Sequence, residues 1–360
     1  MKISRLEKLG SFGVYIDDID MDHMTQEQWH EIGQLFIKEL VVVLRNINMS
    51  KPQFVDWIQK FGPFCSDAKL RLVKKYGHSP DAKTPDTWGN IDAKDKQWLH
   101  YREHTLEDTG DGRFVTRVYG RTLEDGRPLG YFSSGDLHWH SNESSCLTFA
   151  PCVALLGWQK MAGSSTGFLQ TVDLYESFSA SFQSELDEMV MIHRFEAGRV
   201  NDRELIDPDL AEVIRRHFVA EDGAETPLVC TAPNGRKGLH YTVNTRAEIK
   251  NMSKTDTQRL FDELDKKVFD NKWIFDHWWT DTKDLCLFDN SVTLHRRIGG
   301  DPDRKAFRLQ FDPSLVLDQP WTPWQHQSEF HDLYIEQSNL NANILGGHFK
   351  QQFKMPKPML

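Results

Sequence analysis

Two histidines in distant parts of the chain constrain its fold more than any other feature. Residues 135–143 read G-D-L-H-W-H-S-N-E, and residues 285–295 read L-C-L-F-D-N-S-V-T-L-H. On a strand, His138 and His140 point to one face, and neutral imidazole is the commonest side-chain ligand of a catalytic transition metal. A further ligand must come from elsewhere. His295, where an apolar strand running through Asp289-Asn290 ends, is the best candidate. His140 and His295 can share a metal only in a fold that brings two remote strand ends together, so the site is a requirement on the whole chain.

With 360 residues, 39% hydrophobic and 11% aromatic, the chain has ample material for a sizeable core. A formal charge of −10 disfavours a nonspecific grip on nucleic acid or an anionic membrane, yet leaves room for a local basic pocket that takes a small acid. The five cysteines (Cys65, Cys146, Cys152, Cys230, Cys286) are dispersed, with no C-x-x-C pair, and read as reduced thiols of a cytoplasmic protein. The N-terminus lacks the apolar run of a secretory signal, and no stretch approaches a membrane span.

In chain order, residues 13–19 read as an opening strand. Thr25 with Gln28, then Ser50 with Gln53, have the form of capping boxes that start helices. Their apolar stripes are Trp29, Ile32, Leu35 and Phe36, and Phe54, Trp57, Ile58 and Phe61, the second stopped by Gly62-Pro63. Between them L-V-V-V-L at 40–44 suits a strand buried on both faces. Residues 66–132 are polar, rich in Lys and Asp, and punctuated by turn signals, which predicts an inserted lid or surface loop. Its second half, 113–119 and 129–132 around Asp125-Gly126, suggests a hairpin.

After the histidine motif, 153–158 reads as a strand, and G-S-S-T-G at 163–167 as a turn into a second strand at 168–171. Residues 173–182 and 184–193 look helical, 209–218 is mixed, and 227–243 has a P-N-G-R-K-G turn between two strand-like runs, as in a hairpin. Residues 255–270 form an amphipathic helix with Leu260, Phe261, Leu264, Val268 and Phe269 on its apolar side. The tail, 313–360, is expected to be an arm packing on the body or on another subunit. The chain has no internal repeat.

Arg304 and Arg308 follow His295 within D-R-K-A-F-R-L-Q-F, and on a strand residues four apart share a face. A guanidinium there is an always-charged, bidentate clamp for a carboxylate. Thr166, on the small-residue turn, can add a hydroxyl donor. Metal, arginine and hydroxyl together describe a site for a dicarboxylic acid. A cupin-like H-x-H arrangement through His138 competes, but leaves the arginine pair unexplained; His138 reads better as a neighbour of the ligands. Asp289-Asn290 reads as a structural strand-end pair, Arg296-Arg297 as a solvated charge pair, and Trp139, Trp278 and Trp279 as core or pocket wall.

These motifs, in their order from L-V-V-V-L-R through W-H-S-N, G-S-S-T-G-F and F-D-N-S-V-T-L-H to R-x-x-x-R, resemble the taurine dioxygenase family of Fe(II)- and 2-oxoglutarate-dependent oxygenases. The resemblance implies a mainly β fold with flanking helices around a double-stranded β-helix, a cupin-like jelly roll, as a single domain over 1–360. It implies Fe(II) with 2-oxoglutarate as cosubstrate, and with O₂ and a small polar substrate as partners. The implied activity is hydroxylase-type C–H oxidation with release of succinate and CO₂. Carried over by position, it makes His140 and His295 metal ligands, Arg304 the partner of the 2-oxoglutarate tail carboxylate with Thr166 beside it, and Arg308 a contact for cosubstrate or substrate. No nucleic acid or membrane partner is implied, and the terminal arm would serve any homo-oligomer.

One position departs from the family pattern: its carboxylate ligand falls on Asn142, whose amide is neutral and a weaker donor. Glu143 could replace the carboxylate, water or an anion such as chloride could occupy the place, or the site could be impaired. The alternatives to hydroxylation are therefore a redirected iron enzyme such as a halogenase, or a protein that only binds 2-oxoglutarate or another small molecule.

Overall fold

The chain begins with two antiparallel strands, β1 (Lys2–Arg5) and β2 (Val14–Asp17). Only the second was expected, because β1 lies largely exposed at a sheet edge and has no buried face to impose alternation. The computed structural model describes residues 1–62, 64, 106–111, 113–120, 136–145, 150–194 and 223–318.

Both capping boxes form as the sequence predicts, at Thr25 for α1 (Gln26–Glu39) and at Ser50 for α2 (Lys51–Gln59). Loss of either cap hydroxyl would cost about 1 kcal/mol. Between the helices lies β3 (Val41–Leu44), all four residues buried, and its period-two alternation feeds two different cores. Val42 and Leu44 pack with Ile32, Phe36, Phe54 and Ile58 of the helices, whereas Val41 and Val43 face the opposite layer. Gly62 lies against the Asp312 carbonyl so closely that a Cβ would collide with it, which requires glycine there.

The remaining elements are β4 (Leu106–Asp108), β5 (Phe114–Tyr119), β6 (Leu137–His140), β7 (Cys152–Gln159), β8 (Ser164–Gln170), α3 (Val172–Glu176), α4 (Ala180–Asp187) and β9 (Val190–His193). After them come β10 (Ala224–Pro227), β11 (Val229–Thr231), β12 (Lys237–Leu239), β13 (Arg246–Ile249) and α5 (Lys254–Val268). The chain then runs through β14 (Ile274–Trp278), β15 (Leu285–Asp289), β16 (Thr293–Gly299), β17 (Lys305–Phe311) and α6 (Ser314–Leu317).

Among the described residues an eight-stranded sheet of order β1-β2-β3-β15-β7-β17-β5-β4 packs against a four-stranded sheet of order β14-β8-β16-β6. Val43, Val153, Phe288 and Ala306 of the first meet Phe168 of the second, with Phe168 and Phe288 rings 5.2 Å apart. Helices α1 and α2 cover the outer face of the large sheet. Helix α5 covers the outer face of the small one, burying Leu264 and Val268 with Leu169 and Leu294. The architecture is mainly β with flanking helices, and the two sheets leave a mouth between them at the histidines.

Several expectations change. Within the expected lid, β4 and β5 belong to the sheet, β5 pairing with β4 on one side and β17 on the other, while residues 129–132, the expected second arm of the hairpin, lie outside the described residues. Of the G-S-S-T-G run only Gly163, at φ 82°, lies in the turn; residues 164–167 already belong to strand β8, where small residues tolerate close packing from both neighbouring strands. The end of the expected helix at 184–193 is strand β9, because Val190–His193 inserts between β10 and β13. The hairpin at β11–β12 and helix α5 form as predicted. Residues 209–218, all of 66–105 and the arm beyond Asp318 lie outside the described residues. No helix among the described residues is long and apolar enough to cross a membrane.

Candidate active site

His140 and His295 face one another across the β6–β16 pairing, with ring centroids 4.1 Å apart. The antiparallel register explains the proximity: directly opposite residues have Cα atoms about 4.5–5.5 Å apart. His295 is not at the end of a strand begun at Leu285. That stretch divides at a corner, where the Asp289 carboxylate accepts hydrogen bonds from the Ser291 N–H (3.0 Å), the Ser291 hydroxyl (2.9 Å) and the Val292 N–H (2.8 Å). The corner carries the chain from the large sheet to the small one. Burial pushes the Asp289 carboxyl up to about 6 despite those bonds.

Asn290, the next corner residue, grips the backbone of Asn142. Its side-chain oxygen accepts the Asn142 N–H (2.9 Å), and its amide nitrogen donates to the carbonyls of Asn142 (3.0 Å) and Ala150 (2.8 Å). Asn142 is thereby held by its main chain while its side chain lines the cavity. The side-chain nitrogen is buried and has no hydrogen-bond partner among the described residues. Glu143, in a left-handed conformation at φ 64°, is not among the side chains lining the cavity.

Both imidazoles are held neutral. His140 Nδ1 lies 2.7 Å from the His138 carbonyl, which can only accept, so Nδ1 carries the proton and Nε2 keeps its lone pair. Burial lowers His140 to about 4, with the charges of Arg308 and Arg297 pushing the same way. Burial, then His140 and Arg308, hold His295 well below the ordinary histidine value, and its Nδ1 is buried without a partner among the described residues. His138 itself is exposed and lends only its carbonyl, which disposes of the H-x-H arrangement.

The cavity, about 640 Å³ counted out to its open mouth, also receives Thr166, Arg297, Arg304 and Arg308, with Trp279 and Phe288 as walls. Arg308 lies within β17; Arg304 immediately precedes it, buried and anchored by its N–H to the Asp301 carbonyl (3.0 Å). The two arginines thus reach the same cavity as expected, although only one is on the strand. Thr166 stands between His277 of β14 and Arg297 of β16, and its Oγ accepts the Trp279 indole N–H at 2.9 Å.

Arg296 and Arg297 part company. Arg296 pairs bidentately with Asp276 and lies over Trp139, 4.4 Å from the ring centroid. Arg297 is buried and lines the cavity, a role that the solvated-pair reading missed. The signal was available: Arg297 is two residues beyond His295 on a strand and so shares its face. Trp278 is neither core nor wall but 56% exposed. Cys152, Cys230 and Cys286 are buried, and none of the three is in a disulfide.

The sequence model of the taurine catabolism dioxygenase TauD, TfdA family matches residues 5–310. The chain belongs to this family. As a TauD-family protein it is an Fe(II)- and 2-oxoglutarate-dependent dioxygenase, and neither halogenation nor mere binding is favoured by the match. No curated protein matches the chain. Among solved structures it is similar to AAD-2 in complex with Mn(II) and N-oxalylglycine (18% identity, 86% of this chain and 97% of that one, TM-score 0.56). A taurine dioxygenase from Burkholderia xenovorans is similar to the same degree (16% identity, 86% and 88%, TM-score 0.56). At those identities the likeness concerns the fold.

The residues present fit a divalent iron: two facing neutral imidazoles, one with its tautomer fixed by a carbonyl, beside an amide whose oxygen is a neutral donor. They are short of a carboxylate, and among the described residues no cluster of three or more His, Cys, Asp or Glu side chains occurs.

Proposed function

We propose that this TauD-family dioxygenase oxidises a C–H bond of a small polar substrate, with His140, His295 and the Asn142 amide as metal ligands. The single observation supporting this reading is the opposition of His140 and His295 in a cavity that also holds Arg304, Arg308 and Thr166. The facing sheets β14-β8-β16-β6 and β3-β15-β7-β17 form, in this reading, the double-stranded β-helix of one domain.

Arg304 clamps the tail carboxylate of 2-oxoglutarate through its guanidinium, and Thr166 donates its hydroxyl to the same group. Fe(II) with bound 2-oxoglutarate supplies O₂-dependent oxidation coupled to release of succinate and CO₂. The protein's own part is to hold the two imidazoles neutral and fixed, and to wall the cavity with Trp279 and Phe288 against water. Arg308 orients a substrate that carries an acidic or strongly polar end. Arginines line the cavity and no acidic side chain among the described residues does, which supports a substrate of that class. The Asn142 position costs the metal a negative ligand but leaves the donor geometry of the two histidines intact.

Incubation of the purified protein with Fe(II), 2-oxoglutarate and O₂ should release succinate, and small acids should be screened for stimulation of that release. Absence of both succinate and metal binding would overturn the reading.

A further inference from the structure

A threonine hydroxyl carries one proton and two lone pairs, and ordinarily its proton turns to suit its surroundings. At Thr166 that freedom is removed. The indole N–H of Trp279 can only donate, and it does so to Thr166 Oγ at 2.9 Å. No described residue accepts a hydrogen bond from Thr166 in return, and the side chain lines the cavity. The hydroxyl proton is therefore turned toward whatever occupies that end of the cavity.

The indole has no room to do otherwise. A Cβ at Gly157 would come within 2.7 and 2.8 Å of its six-membered ring, so glycine there is the seat on which Trp279 lies. The backbone N–H of Trp279 donates to the Ser164 carbonyl (3.0 Å), which ties it to the strand that carries Thr166. The ring of His277, the cross-strand partner of Thr166, stands edge-on to it at 4.8 Å. His277 in turn lies 3.3 Å from Asp284 and 3.5 Å from the Tyr15 hydroxyl.

We infer that Trp279 is a positioning residue that makes Thr166 an obligate hydrogen-bond donor, so that this end of the cavity accepts a carboxylate and rejects a terminal group that must itself donate. Arg304 supplies donors only, and Thr166 held by Trp279 supplies another. A carboxylate satisfies both, whereas a carboxamide must turn its NH₂ toward one of them. Without the indole N–H, Thr166 can rotate and accept, and the amide becomes tolerable. The inference rests on the reading that Arg304 and Thr166 hold the cosubstrate tail.

The test is equilibrium binding to the full-length protein loaded with Mn(II), using N-oxalylglycine and its terminal carboxamide as probes. Trp279→Phe should weaken N-oxalylglycine by roughly fivefold or more and narrow its preference over the amide by roughly three- to tenfold, on the scale of one ordinary hydrogen bond. In a Thr166→Val background the same change should move either affinity by less than about twofold, because there is no hydroxyl left to orient. Site-specific replacement of Trp279 by benzothienylalanine, which keeps the bicyclic ring and loses only the N–H, should reproduce the Trp279→Phe result if the smaller ring disturbs folding. Equal losses in both backgrounds, or an unchanged carboxylate-to-amide preference with either replacement, would overturn the inference. Failure of the wild type to bind N-oxalylglycine, or full binding by Arg304→Ala, would instead overturn the underlying assignment and the inference with it.

Discussion

Two buried histidine pairs among the described residues share one property and differ in another. His140 and His295 have ring centroids 4.1 Å apart at the cavity; those of His193, at the end of β9, and His240, just after β12, are 5.3 Å apart. Burial keeps all four neutral, lowering His140 and His240 to about 4 and the other two well below their usual value. A depressed pKa therefore does not mark the active site. Position relative to the cavity does: His140 and His295 line it, whereas His193 is spanned by the hydroxyls of Thr245 (3.0 Å) and Thr226 (2.9 Å) and His240 Nδ1 is set on the Ser291 carbonyl (2.9 Å). The first pair is presented to the cavity; the second stands outside its lining.

The sharpest break between the pairs should come from single alanine substitutions. His295→Ala should abolish Fe(II) binding in an anaerobic titration, whereas His193→Ala should leave the stoichiometry unchanged. An unaltered titration in His295→Ala would erase the distinction. Next in size, Arg304→Ala should weaken 2-oxoglutarate by well over tenfold, roughly 2–5 kcal/mol, with Arg308→Ala the milder change in the same calorimetric measurement. A reversed order would exchange the two arginine assignments.

On stability the ranking inverts. His193→Ala strands the buried Thr226 hydroxyl and removes one of the two partners of Thr245, which keeps Thr242, and should cost about 1–3 kcal/mol in denaturant unfolding of the metal-free protein, more than His295→Ala does. Asn142→Asp should tighten Fe(II) by about tenfold and raise substrate-independent succinate release, since it restores a negative donor beside two neutral ones.

The smallest effect is an expected constancy. Two imidazoles of ordinary pKa would lose about a hundredfold in metal affinity between about pH 7.5 and 5.5 through protonation alone. Here both pKa values are depressed, so protons do not compete at His140 until about pH 4, and at His295 not until well below its usual range. Competitive chelator titration should show little change across that window. Stability has the opposite character. Histidines with depressed folded pKa values bind protons in the unfolded chain first, so as pH falls below the unfolded value they destabilise the native state. The raised carboxyls of Asp289, at about 6, and Asp312, at about 7, counter this by taking up protons in the folded state first.

Much of the candidate site was legible because its chemistry sits in residue types that have few other reasons to occur together. His140, His295, Thr166, Arg304 and Arg308 all line the cavity, and the capping boxes, β3 and helix α5 form where local patterns place them. What failed depended on partners remote in sequence. Strand β8 looked like a turn because glycine and serine usually mark one, yet between β14 and β16 Gly167 leaves the space over which the Asp276 and Arg296 side chains of the two neighbouring strands pair. The stretch ending on His295 looked like one strand because apolar character continues through it, while the change of sheet is made by polar contacts of Asp289 and Asn290. Strand β1 and the sheet membership of β4 were hidden for the same reason: edge pairing leaves little trace in a single strand's composition.

The grip of Asn290 on residue 142 uses only main-chain atoms of its partner. The location of that position is thus specified independently of the side chain mounted there, like a socket that accepts different fittings without being rebuilt. Exchange of a carboxylate for an amide at this point alters charge and donor strength while the backbone keeps its place. On the proposed ligand set, a substitution at this one residue changes the charge balance at the metal with little penalty in folding, and Asn142→Asp would mount an acid there without rebuilding the corner that holds it.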